Sequence, residues 1–319
     1  MRIAAARYFA LSSAIAAIIV VAQASASQGA GANRGARFTA SPSGLRMCPK
    51  QLIYVISQQI NAVLVYPQNG GPMQNQCGQL TTGLMSPQGL ATDRLGNVYV
   101  TNSGSSAVPP SIVKFRPQSQ NPELKISDAG EFPVGIAIGD NGDIVVANEI
   151  SQPGSGPGNV IVFDRHGKLI TTLSDPNAKY EIYPAVDEKG DIFTTYLDAN
   201  SVGHVNEFIH GKVRELPITL QFPGNLRFDG RNLLVLDAQA NTLSTYPPPY
   251  KSASNVESLP NSGFPSDFDL TSSGKALYVT EGEFANVHAY TYPGGARINT
   301  LDPPSGGIAA VAMWPDHAP

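Results

Sequence analysis

Four acids and an amide fall late in this chain of 319 residues: Asn225, Asp237, Asp267, Glu281 and Glu283. Carboxylates and amides are hard oxygen donors, and Ca²⁺ takes about six to eight of them. Gathered at one place, Asp237, Asp267, Glu281 and Glu283 would hold such an ion, with Asn225 beside it. A metal so held polarises a carbonyl, and a carboxylate such as Glu281 can activate water against it. Asn102 and Asn148 offer amide groups for ligand contact. The same residue types also cap turns, so their place in the fold decides between the two roles.

Other chemistries find little support. His166, His204, His210, His288 and His317 show no metal-ligand spacing. There is no Gly-x-Ser-x-Gly elbow, phosphate loop or dinucleotide fingerprint. Asp140-Asn141-Gly142-Asp143 resembles the start of a calcium loop, but the later Glu is missing and the segment reads as a hairpin turn. The formal charge is −4 and Lys/Arg are not clustered, which argues against nucleic acid and anionic membranes as partners.

The elements that must position these residues repeat. Six β-branched runs begin at Leu52, Asn97, Asp143, Asp191, Asn232 and Ala276, 41 to 48 residues apart. Around each lie three further short strands bounded by turn residues. A period of this length with four strands per unit predicts an all-β, six-bladed β-propeller of four-stranded antiparallel blades. A first strand opens at Pro87, Pro133, Pro184, Pro223 and Pro265. A sixth copy starts at Ser305 with no second strand after it, while the unit at Leu52 lacks a first. The two ends therefore complete one blade, which removes the open edges.

Equivalent positions in the repeats become rings in space. The last residues of the second strands (Ser57, Asn102, Asn148, Tyr196, Asp237 and Glu281) form a polar ring at the mouth of the channel, beside the starts of the first strands. The pattern Pro-x-Gly, then Asp-x-x-Gly-Asn/Asp before an apolar run, then Asn, resembles the NHL-repeat propellers and the related SMP-30/gluconolactonase lactonases, over about Gln51 to Asp316. The lactonase resemblance implies an Asn and an Asp as metal ligands just after the opening Pro. That column holds Gln88, Val134, Ala185, Gly224, Ser266 and Gly306, with Asn225 and Asp267 one place later.

Residues 1–26 read as a cleaved signal peptide: Arg2 and Arg7, an apolar core from Tyr8 to Ala22, then Ala24-Ser25-Ala26. Its loss takes the charge from −4 to −6 by removing the two arginines, and no membrane span remains. Residues 27–47 read as a flexible linker and 48–319 as one propeller domain. Cys48 and Cys77 are expected to form a disulfide in an oxidising, secreted or periplasmic compartment. Long second-to-third-strand links at Ser103–Pro110 and Glu149–Gly158 lie on neighbouring blades. The expectation is an exported, monomeric, non-enzymatic propeller binding a small ligand, glycan or protein at the mouth. A metal-dependent lactonase or hydrolase is the alternative, and a lyase is disfavoured by the scattered histidines.

Overall fold

The computed structural model describes residues 48–319, apart from 69–75, 129–130, 152–155, 261, 282–285, 304–306 and 316–319. The expected signal peptide and linker lie outside the described residues. The strands form six four-stranded antiparallel sheets. In five of them the strands follow chain order. In the sixth, Ile308–Trp314 is the inner strand and pairs antiparallel with Leu52–Ser57, from Leu52 opposite Trp314 to Ser57 opposite Ile308. The ring is thus closed by its two ends, as the incomplete repeats require.

Each sheet is apolar on both faces, so each must be covered by a neighbour. Six clusters of buried side chains result, one at each blade–blade interface. Tyr66, Tyr99, Phe115, Tyr196, Phe193 and Tyr290 are the largest side chains to vanish from solvent. The disulfide Cys48–Cys77 (Cα–Cα 5.3 Å) fastens the first blade's outermost strand, Gly78–Leu80, to the chain entering that blade.

The turn between first and second strands explains the Asp-x-x-Gly pattern. Asp93 Oδ1 accepts the backbone N–H groups of Leu95 and Asn97, and Asp187 Oδ1 those of Lys189 and Asp191. The intervening Gly96 and Gly190 have φ of 80° and 84°, where a side chain is strained. In the third blade Gly139 stands in place of the Asp. There Asn141 Oδ1 accepts from Asp143 instead, so Asp140-Asn141-Gly142-Asp143 is the hairpin turn expected of it.

A second local rule sets the site. The first-to-second-strand pairing slips near the mouth in every blade, for example between Pro87 and Leu90, Pro223 and Leu226, and Pro265 and Phe268. A bulge re-aims the residues it contains. Its unpaired N–H is met by a threonine: Gly89 donates to Thr101 Oγ1 at 2.8 Å, and Asp267 to Thr280 Oγ1 at 3.0 Å. Thr101 and Thr195 in turn donate to carbonyls of the next blade, Val134 and Gly224. The bulge is therefore also a joint between blades.

Candidate functional site

The residues at the strand-two ends are buried, and at Asn102 and Asp237 the side chain is taken up by the backbone. Asn102 Oδ1 accepts from Met85 N–H at 3.2 Å, and its Nδ2 donates to the Gly83 carbonyl. Asp237 accepts four backbone N–H groups, from Gln221, Phe222, Gln239 and Ala240. Asn148 donates to Asn159 Oδ1, while its own Oδ1 has no partner. Asp237 thereby clamps the link entering its blade to the link leaving the second strand, and Asn102 ties its strand end to the entering link. Asn61 and Asn241 begin third strands at φ of 51° and 54°. They extend the clamp by accepting from the Ser86 N–H and the Ser262 hydroxyl.

The acids of the last two blades do not gather about one centre. Glu281 is tucked under Gly263, where a Cβ would come within 1.9 Å of its Oε1, and Glu281 Oε2 lies 3.4 Å from His288 Nε2. Burial pushes His288 down to about 4, so its ring is neutral at pH 7. Asp267 faces elsewhere. Its Oδ2 accepts the Val311 N–H at 3.0 Å and its Oδ1 the Phe268 N–H, with Asn225 Nδ2 also bonded to Oδ1. Glu283 lies outside the described residues. Among the described residues no group of three or more His, Cys, Asp or Glu is placed to hold a metal. Pseudo-symmetry gives Asp237 and Glu281 equivalent strand ends, but backbone donors take up the oxygens of Asp237, and of Asp267, each at its own place.

What the bulges do bring together is Asn225, Asp267, Arg227 and Asp269. The Arg227 guanidinium stands 3.6 Å from Oδ1 of both aspartates and donates to the carbonyls of Phe268 and Val311. Asp269 Oδ2 accepts the Met313 N–H at 2.7 Å. Burial raises the Asp267 carboxyl to about 6, with Arg227, Asn225 and the Val311 N–H restraining the rise.

Arg227 and Asp269 also form the floor of a cavity of about 560 Å³. It is the widened half of the central channel, and all six inner strands contribute: Thr92, Ile138, Val186, Arg227, Asp269 and Trp314 among them. Its rim is the set of first-to-second-strand turns, with Arg94, Asp140 and Glu188. Arg94 and Asp140 pair at 2.8 Å across neighbouring blades. The opening is on the face opposite the mouth where the sequence placed the site. Two signals could have found it. Arg227 is a lone cation inside an inner strand, and Trp314 ends the closing strand against Gly96, whose added Cβ would meet the indole at 2.6 Å.

A third feature is a run of buried acids on the mouth side of blades two to four. Burial pushes Asp128 and Glu149 up to about 7 and Glu181 up to about 8. Sequence reading did not single out any of these three. The long link at Ser103–Pro110 folds back on itself: Ser105 and Val108 exchange backbone hydrogen bonds, and Ser103 and Gly104 donate to Ser86 and Met85.

Among the described residues no helix is long and apolar enough to cross a membrane. No family model matches the chain, and no curated protein matches it in sequence. Solved structures do share the fold. A chain of a nidogen/laminin complex is 19% identical, with 82% of this chain and 98% of that chain covered and a TM-score of 0.68. A streptogramin B lyase is 14% identical, covering 83% and 85%, with a TM-score of 0.59. The periplasmic gluconolactonase of Pseudomonas aeruginosa is 14% identical, covering 82% and 98%, with a TM-score of 0.58. A laminin complex, a lyase and a lactonase on one scaffold fix the architecture as a six-bladed propeller and leave the activity to the site.

Proposed function

We propose that this chain is an exported, non-enzymatic binding propeller that takes a small, neutral, polyhydroxylated ligand, such as a short glycan, in the wide half of its channel. The cavity of about 560 Å³ carries the reading. It lies within the range of about 300–1,000 Å³ typical of small-molecule sites. Its wall mixes Arg94, Arg165, Lys114 and Arg227 with Asp140, Asp187, Glu188 and Asp269, and Trp314 adds an aromatic surface. Both signs of charge occur together, so no single charge on a ligand is favoured. Hydroxyl groups, which donate and accept, suit both signs and gain charge-assisted hydrogen bonds. The disulfide fits passage through an oxidising compartment.

The binding reading is favoured over the hydrolase alternative by what holds two of the acids at the mouth. Asp237 and Asp267 are held by backbone donors there. The test is calorimetric titration and thermal shift with neutral oligosaccharides, sugar acids and lactones. The expected result is binding of a neutral polyol, weakened about tenfold by Arg94→Ala or Glu188→Ala, with mature protein beginning at Ser27. Turnover of a lactone overturns the reading. So does a ligand whose affinity responds to changes in Ser103–Pro110 and not to the rim variants.

A further inference from the structure

The interface between blades three and four differs from the other five. Its apolar cluster is the smallest among the described residues, with six buried members (Val145, Val160, Val162, Leu173, Ile192 and Phe208) against nine to fourteen elsewhere. Polar side chains stand in the missing volume. In the fourth blade Glu181 pairs with Tyr196 across the first and second strands, and Thr194 pairs with Asn206 across the second and third. Thr194 and Tyr196 are two apart, so Glu181, Thr194 and Asn206 project from one face of the sheet. Ile192 and Phe208, paired on that same face, pack against blade three, which fixes the direction.

All three side chains are fully buried. Both carboxylate oxygens of Glu181, the Thr194 hydroxyl and Asn206 Oδ1 are buried without a well-formed hydrogen bond, and the Thr194 hydroxyl stands close enough to Glu181 to favour its charged form. Asn206 Oδ1 is left over because its Nδ2 donates to Asp175 Oδ2 at 2.6 Å. Asp175, itself buried, adds a second carboxylate beside the group. Buried oxygens left short of hydrogen bonds are costly unless something else satisfies them. Four buried oxygen acceptors with two nearby carboxylates describe a place for a positive ion.

We propose that blades three and four enclose a structural Ca²⁺ site in which Glu181 binds through both oxygens, Asn206 Oδ1 and Thr194 Oγ1 complete the side-chain donors, and Asp175 orients Asn206 and balances the charge. The all-oxygen set with a two-oxygen Glu and an amide carbonyl selects Ca²⁺ over transition metals, which prefer nitrogen and sulfur. The site stitches the blade interface poorest in apolar side chains and is separate from the channel cavity.

The test uses the whole mature protein stripped with EGTA. Calorimetric titration with CaCl₂ should show one site per chain, and the thermal midpoint should climb with the logarithm of free Ca²⁺. Glu181→Gln, which keeps the shape, should abolish both responses while folding normally without Ca²⁺. Thr194→Val should weaken binding by about tenfold. Absence of Ca²⁺ binding in the unaltered protein, as for a pocket holding water or a proton, overturns the proposal. So does binding that Glu181→Gln leaves intact.

Discussion

Asp267 Oδ2 accepts the backbone N–H of Val311 at 3.0 Å, so a side chain of the sixth blade holds the strand that closes the ring. Asp269 repeats the contact two residues on, at Met313. On the other side of the same strand, the Thr92 hydroxyl donates to the Met313 carbonyl at 2.6 Å. The closing strand is thereby pinned by both neighbouring blades as well as by its own sheet.

Removing Asp267 should loosen this closure. Asp267→Ala leaves the Val311 N–H and the Asn225 amide without their partner and the Arg227 guanidinium with one carboxylate fewer. The expected loss is about 3 kcal/mol, the lower end for breaking a buried charged pair. Denaturant titration measures it, and a loss below about 1 kcal/mol would show that the closure does not depend on this contact.

The disulfide acts on the same blade from its outer edge. Cys48 and Cys77 are 29 residues apart, so on the chain-entropy account the Cys48→Ser/Cys77→Ser double variant should lose about 3–4 kcal/mol. Thiol titration of unreduced, denatured protein should find no free sulfhydryl.

Buried acids predict an unusual pH profile. The folded-state values of Asp267, Asp128, Glu149 and Glu181 rise to about 6, 7, 7 and 8. A raised acid holds its proton in the folded chain after the unfolded chain has lost it. Folding therefore weakens as pH climbs from the unfolded carboxylate range to these values. His288, lowered to about 4, opposes this between about 6.5 and 4, but it is one group against four. Asp164 and Asp198, whose values fall, are at the surface and count for little. In EGTA the thermal midpoint should be higher at pH 5 than at pH 8. The reverse order would contradict the burial argument.

Trp314 is the single tryptophan and lines the cavity. Gly96→Ala would push a methyl group into its ring and place a side chain at φ of 80°. The expected cost is about 1–2 kcal/mol from the backbone alone, with a shift in tryptophan emission. An unchanged emission spectrum would mean the indole does not rest on Gly96.

The fold was legible because its determinants are local and repeated. Asp93 and Asp187 each write their own turn, and the six β-branched runs keep period whatever surrounds them. Ring closure followed from counting which repeat lacked which strand. The site was less legible because it depends on where side-chain oxygens end. Repeat equivalence placed Asp237 and Glu281 at the same strand end, yet Asp237 turned to four backbone donors and Glu281 to the space under Gly263. Asn225 and Asp267 do meet, because the bulge after each Pro turns the next residues inward, and no spacing rule announces a bulge. The cavity was missed for a different reason. The far ends of the inner strands were read as turns, and only Arg227 and Trp314 were out of place there.

Pairing of Leu52 with Trp314 has a consequence in time. A nascent chain can assemble the second through sixth blades as each is made, since their strands are neighbours in sequence. The first blade must wait, with its inner edge bare, until Ile308–Trp314 has been made. Until that strand docks the blades form an open row, and the ring exists only once it does. Once Ile308–Trp314 docks, the ring has no end from which to unravel.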